Sequence, residues 1–307
     1  MEPSNSFFDE EVRCDHLITS QMKKVWSVQI DCLEQIKQIC EHHNIQYFVS
    51  GGTLLGTIRH NGYIPWDDDL DVVMFKDDYN RFCEIAPNEL SEPYFFQNYR
   101  TQEGAGPGMS RIRNSNTTSC TMYEYDMVDE NYNCGIFVDI FPMYGVEKSK
   151  VKRVWQMFRM WMGRMNVAAY ELHRKAVKTG NLKRYKNPLV WWWVVAKLFT
   201  SHERISEMYL AACSLAKDYD EVGLLSFSGF DKRWIWKKEW YNGSVLKPFE
   251  YTEVSVPKEY DKILRQQFGD YSVFKKGDSV HTMAVLDPYT PYKEKLKSLY
   301  NQRTIKQ

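Results

Sequence analysis

The stretch "SGGTLLGTIRHNGYIPWDDDLDVV", Ser50–Val73, decides the fold because it changes its pattern twice within a few residues. It begins where a glycine pair, Gly51-Gly52, interrupts the strand-like run "IQYFVS". "TLLGTIRH" follows with the apolar spacing of a short helix, and "LDVVMF" then has the β-branched composition of a buried strand. Strand, glycine break, helix and strand in this order predict an α/β core.

The same alternation continues on both sides of this stretch and predicts a mixed sheet with flanking helices in residues 1–146. Apolar residues recur at helical spacing over residues 21–43, and "CGIFVDIFPMYG" is predicted to be a buried strand closed by Pro142. Residues 147–225, rich in Trp, Met and Arg, are predicted to form a helical insertion. Residues 226–307 are mixed and are predicted to complete the first part.

Composition limits the classes of protein that this chain can belong to. Of its 307 residues, 43% are apolar, and 40 Lys and Arg balance 40 Asp and Glu, which argues against a nucleic-acid-binding protein. The seven cysteines contain no C-x-x-C pair, as expected of reduced thiols in a cytoplasmic protein. We expect no signal peptide, and "PLVWWWVVAKLF" is shorter than the roughly 20 apolar residues that span a bilayer.

Acidic residues at the start of one strand and inside another indicate a metal site. Asp69 and Asp71 are two residues apart, so their side chains share one face of the predicted strand. Two neighbouring carboxylates repel unless a cation bridges them, and oxygen ligands suit Mg²⁺ or Mn²⁺. Asp139 is a lone charge in the apolar run "IFVDIF", and it either joins this site or forms a salt bridge with an arginine.

The glycine pair in front of the helix indicates a phosphate site. Without side chains, Gly51 and Gly52 would let backbone N–H groups at a positive helix end approach a phosphate. A Gly-Gly pair alone is more often only a turn. Its position just before the acidic strand makes the prediction stronger.

Four stretches together resemble the LicD family, which includes fukutin-related proteins and has the nucleotidyltransferase fold. They are "GGTLLGTIRHNGYIPWDDDLDVVM", "RIRNSNT", "GIFVDIFP" and "VSVPKEYDKILRQQFGDY". The resemblance extends from about Trp26 to Tyr271 and is weakest over 151–227. Two positions depart from the family pattern: Asn133-Cys134 replaces a histidine that often precedes the third acidic strand, and Met143-Tyr144 lacks an acid.

The resemblance implies an enzyme that takes a phospho-alcohol, such as phosphocholine or ribitol phosphate, from a CDP-linked donor such as CDP-choline. The acceptor would be a sugar hydroxyl of teichoic acid, capsule polysaccharide, lipopolysaccharide or a lipid-linked oligosaccharide precursor. By this resemblance Asp69 and Asp71 would hold the metal, and Asp139 would complete the metal site or accept the hydroxyl proton. The donor phosphates would be lined by three consecutive residues, Gly51, Gly52 and Thr53.

Other residues of the motif have two interpretations each. Arg59 and His60 could bind the donor, or they could stabilise a helix C-terminus. Asp67 shares the face of Asp69 and is a candidate donor ligand, whereas Asp68 points away. Trp66 could stack on cytosine or fill the core.

Arg111 and Arg113 lie on the same face of an extended run, "RIRN". They could clamp phosphates, or they could neutralise the acidic residues. Both interpretations place them near the centre of the site.

The segment "KRVWQMFRMWMGRMN" mixes cations with Trp and Met. It is either a helix packed on the sheet or an interfacial helix in peripheral contact with the inner leaflet of the membrane.

Two other functions remain open at this point. The D-x-D pattern also fits a nucleotide-sugar glycosyltransferase, and a protein that only binds glycans or nucleotides would be non-catalytic.

Overall fold

The computed structural model has the mixed helix-and-sheet organisation that the sequence predicts. It describes residues 3–121, 124, 131–180, 186–274 and 283–305. The helices are, in chain order, α1 (Ser20–His42), α2 (Gly51–His60), α3 (Lys76–Glu89), α4 (Lys150–Thr179), α5 (Pro188–Ala196), α6 (His202–Cys213), α7 (Leu225–Ser228), α8 (Tyr260–Phe268) and α9 (Tyr292–Ile305). The strands are β1 (Glu11–Arg13), β2 (His16–Ile18), β3 (Phe48–Val49), β4 (Asp71–Phe75), β5 (Tyr94–Gln97), β6 (Ser110–Asn114), β7 (Thr118–Thr121), β8 (Ile136–Val146), β9 (Glu221–Gly223), β10 (Ile235–Lys237), β11 (Ser244–Phe249), β12 (Thr252–Pro257) and β13 (Met283–Asp287).

The long strand β8 organises the main sheet. One edge of β8 pairs in parallel with β4, which continues to β3. The other edge pairs antiparallel with β6 and, further along, with β9. All residues of β8 are buried, as expected for a strand at the centre of a sheet that is covered on both faces.

The prediction that Pro142 closes this strand is wrong, because β8 continues to Val146. The N–H of Asp139 points towards β4, where it donates to the carbonyl of Leu70 at 3.0 Å. Since the direction alternates along a strand, the nitrogen of Pro142 faces the opposite edge. There β6 pairs only as far as residue 140 and β9 begins to pair at Tyr144, so the ladder needs no N–H at the proline.

The two largest apolar cores among the described residues lie on this framework. The larger is built by α1, β3, β4, α3 and β8, and it includes Val222, Trp236 and Leu264 from the C-terminal part. The smaller lies among α4, α5 and α6 and includes Met160, Trp193 and Tyr209. Among the described helices, none combines the length and the apolar content needed to cross a membrane.

Candidate active site

The register of β4 and β8 places Asp71 directly opposite Asp139. Adjacent strands are about 4.8 Å apart, and paired residues project on the same side of a sheet. Both carboxylates therefore reach one cavity of about 470 Å³, which Asp67 and Asp69 also line. The structure thus brings together the acidic residues that the sequence places on two separate strands.

The glycine pair lies at the first turn of α2, directly against these carboxylates. Gly51 has a left-handed φ of 58°, and a Cβ there would lie 3.0 Å from Asp71 Oδ2. A Cβ on Gly52 would lie only 2.6 Å from Asp67 Oδ2. Glycine therefore allows the carboxylates to approach the positive end of the helix, which stabilises negative charge there.

Ser50 is a candidate site residue that the sequence reasoning missed. It precedes the glycine pair at the N-cap of α2, but its side chain makes no capping bond. Its Oγ is buried and has no hydrogen-bond partner among the described residues, and the residue lines the cavity. A hydroxyl in this position can bind a phosphate oxygen, and a serine between a strand and Gly-Gly is the signal that could have identified it.

Thr53, in contrast, supports the site from inside the protein. Its hydroxyl accepts the backbone N–H of Asp71 at 2.9 Å, and the residue is buried. Thr53 is not among the residues that line the cavity. The structure therefore gives it the role of fixing the start of β4, and its predicted contact with a phosphate stays a prediction.

Helix α1 fixes the acidic loop from behind. The indole N–H of Trp26 donates to the carbonyl of Asp67 at 3.0 Å, and the side-chain amide of Gln29 donates to the carbonyl of Asp68 at 2.7 Å. With the main chain held in this way, Asp67, Asp68 and Asp69 each offer a carboxylate oxygen within 4.8 Å of the others. The loop therefore presents several hard oxygen ligands next to Asp71.

The charge of the cluster is only partly balanced. Burial, followed by the carboxylates of Asp69, Asp139 and Asp67, raises the pKa of Asp71 well above its usual value, whereas Arg111 lowers it. A divalent cation would favour the ionised form of every one of these acids. The donor atoms and the excess of negative charge fit Mg²⁺ or Mn²⁺.

Arg111 neutralises acidic residues in this structure. Its Nε donates to Asp139 Oδ1 at 2.6 Å, and its Nη1 donates to Glu124 Oε1 at 2.8 Å. Its guanidinium also lies over the ring of Phe137, at 4.1 Å from the centroid. Asp139 therefore forms the predicted salt bridge and also lines the cavity, while its part in a metal site stays a prediction.

Arg113 lies behind this layer and is fully buried. It donates to Gln97 Oε1 at 2.6 Å, to the carbonyl of Gly135 at 2.8 Å and to Glu124 Oε1 at 2.7 Å. Burial opposes the ionisation of Glu124, but the two guanidinium groups and Thr121 lower its pKa to about 2. The predicted phosphate contact of Arg113 is therefore corrected: its donors serve the core of the protein.

Arg59 and His60 lie at the other end of α2, about 15 Å along a ten-residue helix from the glycine pair. Arg59 donates to the carbonyl of Tyr271 at 3.2 Å and lies over the ring of Phe274. Burial, with the neighbouring arginines, lowers the pKa of His60 to about 4, so its ring is neutral at pH 7. Neither residue is among those that line the cavity, and a donor-binding role for this pair stays a prediction.

Apolar side chains form the rest of the wall of the cavity. Trp66 is one of them, and its predicted stacking on a base stays a prediction. The others come from distant parts of the chain and include Met109, Phe227, Trp234 and Phe268. No local motif marks these four residues, and the sequence reasoning did not find them.

Comparisons with known proteins find similar sequences. Residues 44–173 match the family model described as "LicD/FKTN/FKRP, nucleotidyltransferase domain". Over 252 residues the chain is 29% identical to the lipopolysaccharide cholinephosphotransferase LicD of Haemophilus influenzae. The alignment covers 80% of this chain and 88% of that protein. Shorter matches join it to uncharacterised proteins of Rickettsia typhi (40% identity, 18% of each chain) and Rickettsia prowazekii (33% identity, 26% of this chain and 28% of that protein).

Proposed function

The chain belongs to the LicD family, and we propose that it transfers a phospho-alcohol, phosphocholine in the first instance, from a CDP-linked donor to a sugar hydroxyl of a cell-surface glycan. The proposal is carried by one observation, the register of Asp71 opposite Asp139 in a cavity that Ser50 and Gly52 line at the start of α2. The name of the Haemophilus relative, a cholinephosphotransferase acting on lipopolysaccharide, supports the choice of group and acceptor.

In the proposed reaction the acceptor oxygen attacks the phosphorus atom that carries the alcohol. The bond from this phosphorus to the oxygen of CMP breaks, CMP leaves with the electron pair, and a phosphodiester forms. Asp139 would accept the proton of the hydroxyl, because Arg111 fixes one of its oxygens while the residue faces the cavity. The Ser50 hydroxyl and the backbone of Gly52, both at the cavity, would bind the donor phosphates, with Gly51 next to them.

Asp69 and Asp71 would hold the metal, with Asp67 next to them. Bound Mg²⁺ or Mn²⁺ would neutralise charge on the pyrophosphate and on the departing CMP. The apolar wall would exclude water, which strengthens the electrostatic interactions inside the cavity and limits hydrolysis of the donor.

The test is turnover of CDP-choline by the purified chain, with glycan extracted from a host strain that lacks the gene. We expect release of CMP that requires both glycan and Mg²⁺, and a mass gain on the glycan that identifies the transferred group. Asp71→Asn should abolish transfer, whereas Asp77→Asn, the same change at an exposed position, should leave it unchanged. Transfer of a sugar from a UDP-sugar would show a glycosyltransferase instead, and donor binding without turnover would show a non-catalytic protein.

A further inference from the structure

The outward face of α4 carries large apolar side chains in contact with solvent. Trp155, Phe158 and Trp161 are 53%, 47% and 58% exposed, and their rings follow one another with centroids 5.7 and 6.2 Å apart. The inward face of the same helix is buried, with Gln156 and Met160 inside the protein. Packing against the rest of the chain therefore does not explain the aromatic residues on the outward face.

The exposed face continues from α4 onto α5. Asn166 lies one turn beyond Met162, and its side-chain oxygen accepts the indole N–H of Trp192 at 2.9 Å. We define the aromatic stripe as the exposed apolar residues of α4 as far as Met162, of α5 and of the turn after α5, which are Val151, Val154, Trp155, Met157, Phe158, Trp161, Met162, Trp191, Trp192, Val195, Leu198 and Phe199. Contiguous apolar surface of this kind usually marks an interaction site.

The charge around the stripe identifies the kind of partner. Residues 149–202 contain twelve Lys and Arg but only one acidic residue, Glu171, whereas the remaining 253 residues contain 28 basic and 39 acidic residues. Exposed cations accompany the stripe, among them Lys152, Arg159 and Lys197. The guanidinium of Arg159 lies 5.8 Å from the centroid of the Trp155 ring.

We propose that the aromatic stripe docks on the surface of an anionic phospholipid bilayer, with α4 and α5 lying in the plane of the interface. Tryptophan rings suit the boundary between acyl chains and headgroups, and the cations would meet the anionic headgroups. The cores of protein interfaces are depleted of lysine, so the concentration of basic residues favours a lipid surface over a protein partner.

The location of the stripe connects it to the active site. The side of α4 that faces the protein contributes Arg164 and Val167 to a second cavity of about 210 Å³. Met109 and Phe227 line both this cavity and the one that holds the acidic residues. If a bilayer docks on the stripe, α4 therefore lies between the bilayer and the cavity that adjoins the candidate active site.

The test is co-sedimentation of the full chain with vesicles of phosphatidylcholine, with and without phosphatidylglycerol. We expect binding to the anionic vesicles that weakens as salt is added. The triple variant Trp155→Ser, Phe158→Ser and Trp161→Ser should lose binding to the vesicles. In the wild type, brominated lipid in the vesicles should quench the tryptophan fluorescence. Because these side chains are exposed, the variant should keep the wild-type melting temperature.

A charge variant tests the electrostatic part. Since each cation near an anionic surface contributes about a fivefold change in binding, reversing Lys152, Arg159 and Lys197 to Glu should weaken it by about 100-fold or more. The matched control should bind as the wild type does. It changes to Glu three exposed lysines that lie elsewhere, Lys217, Lys258 and Lys293.

Equal pelleting of the wild type and the stripe variants would overturn the proposal, as would failure of the wild type to bind anionic vesicles. A dimer in sedimentation equilibrium that the triple serine variant dissociates would also overturn it, because a second copy would then cover the stripe. Vesicle binding does not depend on catalysis, so Asp71→Asn should bind as the wild type does.

Discussion

Replacing Asp71 by Asn should make the metal-free protein more stable. The change keeps the shape of the side chain and removes one charge from the cluster formed with Asp69 and Asp139. Two unit charges about 5 Å apart repel by about 3 kcal/mol at an effective dielectric constant of about 20. Because Arg111 offsets part of this repulsion, we expect a gain of about 1–2 kcal/mol at pH 7.5, or about 2–6 °C in melting temperature.

The gain should depend on pH in a defined direction. Since the pKa of Asp71 is raised in the folded protein, the folded state holds this proton more tightly than the unfolded state. That stability is fully present below about pH 4, the unfolded pKa of an aspartate, and is lost as the pH rises through the raised pKa. The advantage of Asp71→Asn should therefore be absent near pH 4 and largest in alkaline buffer.

Thermal unfolding between pH 4 and pH 9, in the presence of a chelator, measures this effect. Added Mg²⁺ should stabilise the wild type more than Asp71→Asn, because the variant lacks one of the proposed ligands. Asp77→Asn removes an equal charge at an exposed position and should shift stability by less than about 0.5 kcal/mol. A variant less stable than the wild type across this range would refute the reasoning and show that Asp71 is a structural residue.

Two further substitutions test the surroundings of the cluster. Arg111→Met removes the cation that Asp139 and Glu124 share, although Glu124 keeps Arg113, and it should cost about 3 kcal/mol or more in urea unfolding. A cost below about 1 kcal/mol would contradict a stabilising role for the ion pair with Asp139. Gly51→Ala places a Cβ against the carboxylate of Asp71 and should lower turnover at least tenfold. Gly180→Ala introduces the same left-handed backbone strain with no atom within 4 Å of the new Cβ, and it should not lower turnover. Equal effects of the two variants would leave only backbone strain as the cause.

The parts of the site that follow from local pattern could be predicted from the sequence. Alternation along a strand gave the shared face of Arg111 and Arg113, and the isolated charge of Asp139 indicated a site. Alternation does not reveal, however, how deeply each side chain is buried. The structure buries Arg113 completely while Arg111 reaches the acidic residues.

Long-range packing explains what the sequence did not reveal. Arg59 follows the glycine pair closely in the chain, but the helix between them carries it to the far end of α2. Phe227 and Trp234 reach the cavity because β9 and β10 extend the main sheet from the C-terminal part, a pairing that no motif encodes. Pro142 lies inside a strand because, on the edge that its nitrogen faces, β6 stops pairing before the proline and β9 starts pairing after it.

The direct pairing of β4 with β8 bears on how such a protein can diversify. Asp71 and Asp139 occupy facing positions in one parallel ladder, so backbone hydrogen bonds set their separation, whatever the length of the chain between them. Insertions between these strands, or exchange of the helices that follow β8, leave that separation unchanged. A lineage could therefore replace α4, α5 and α6 to meet new surfaces while inheriting the same pair of carboxylates. Chimaeras that join this sheet to the helices of a relative are a practical way to engineer the protein.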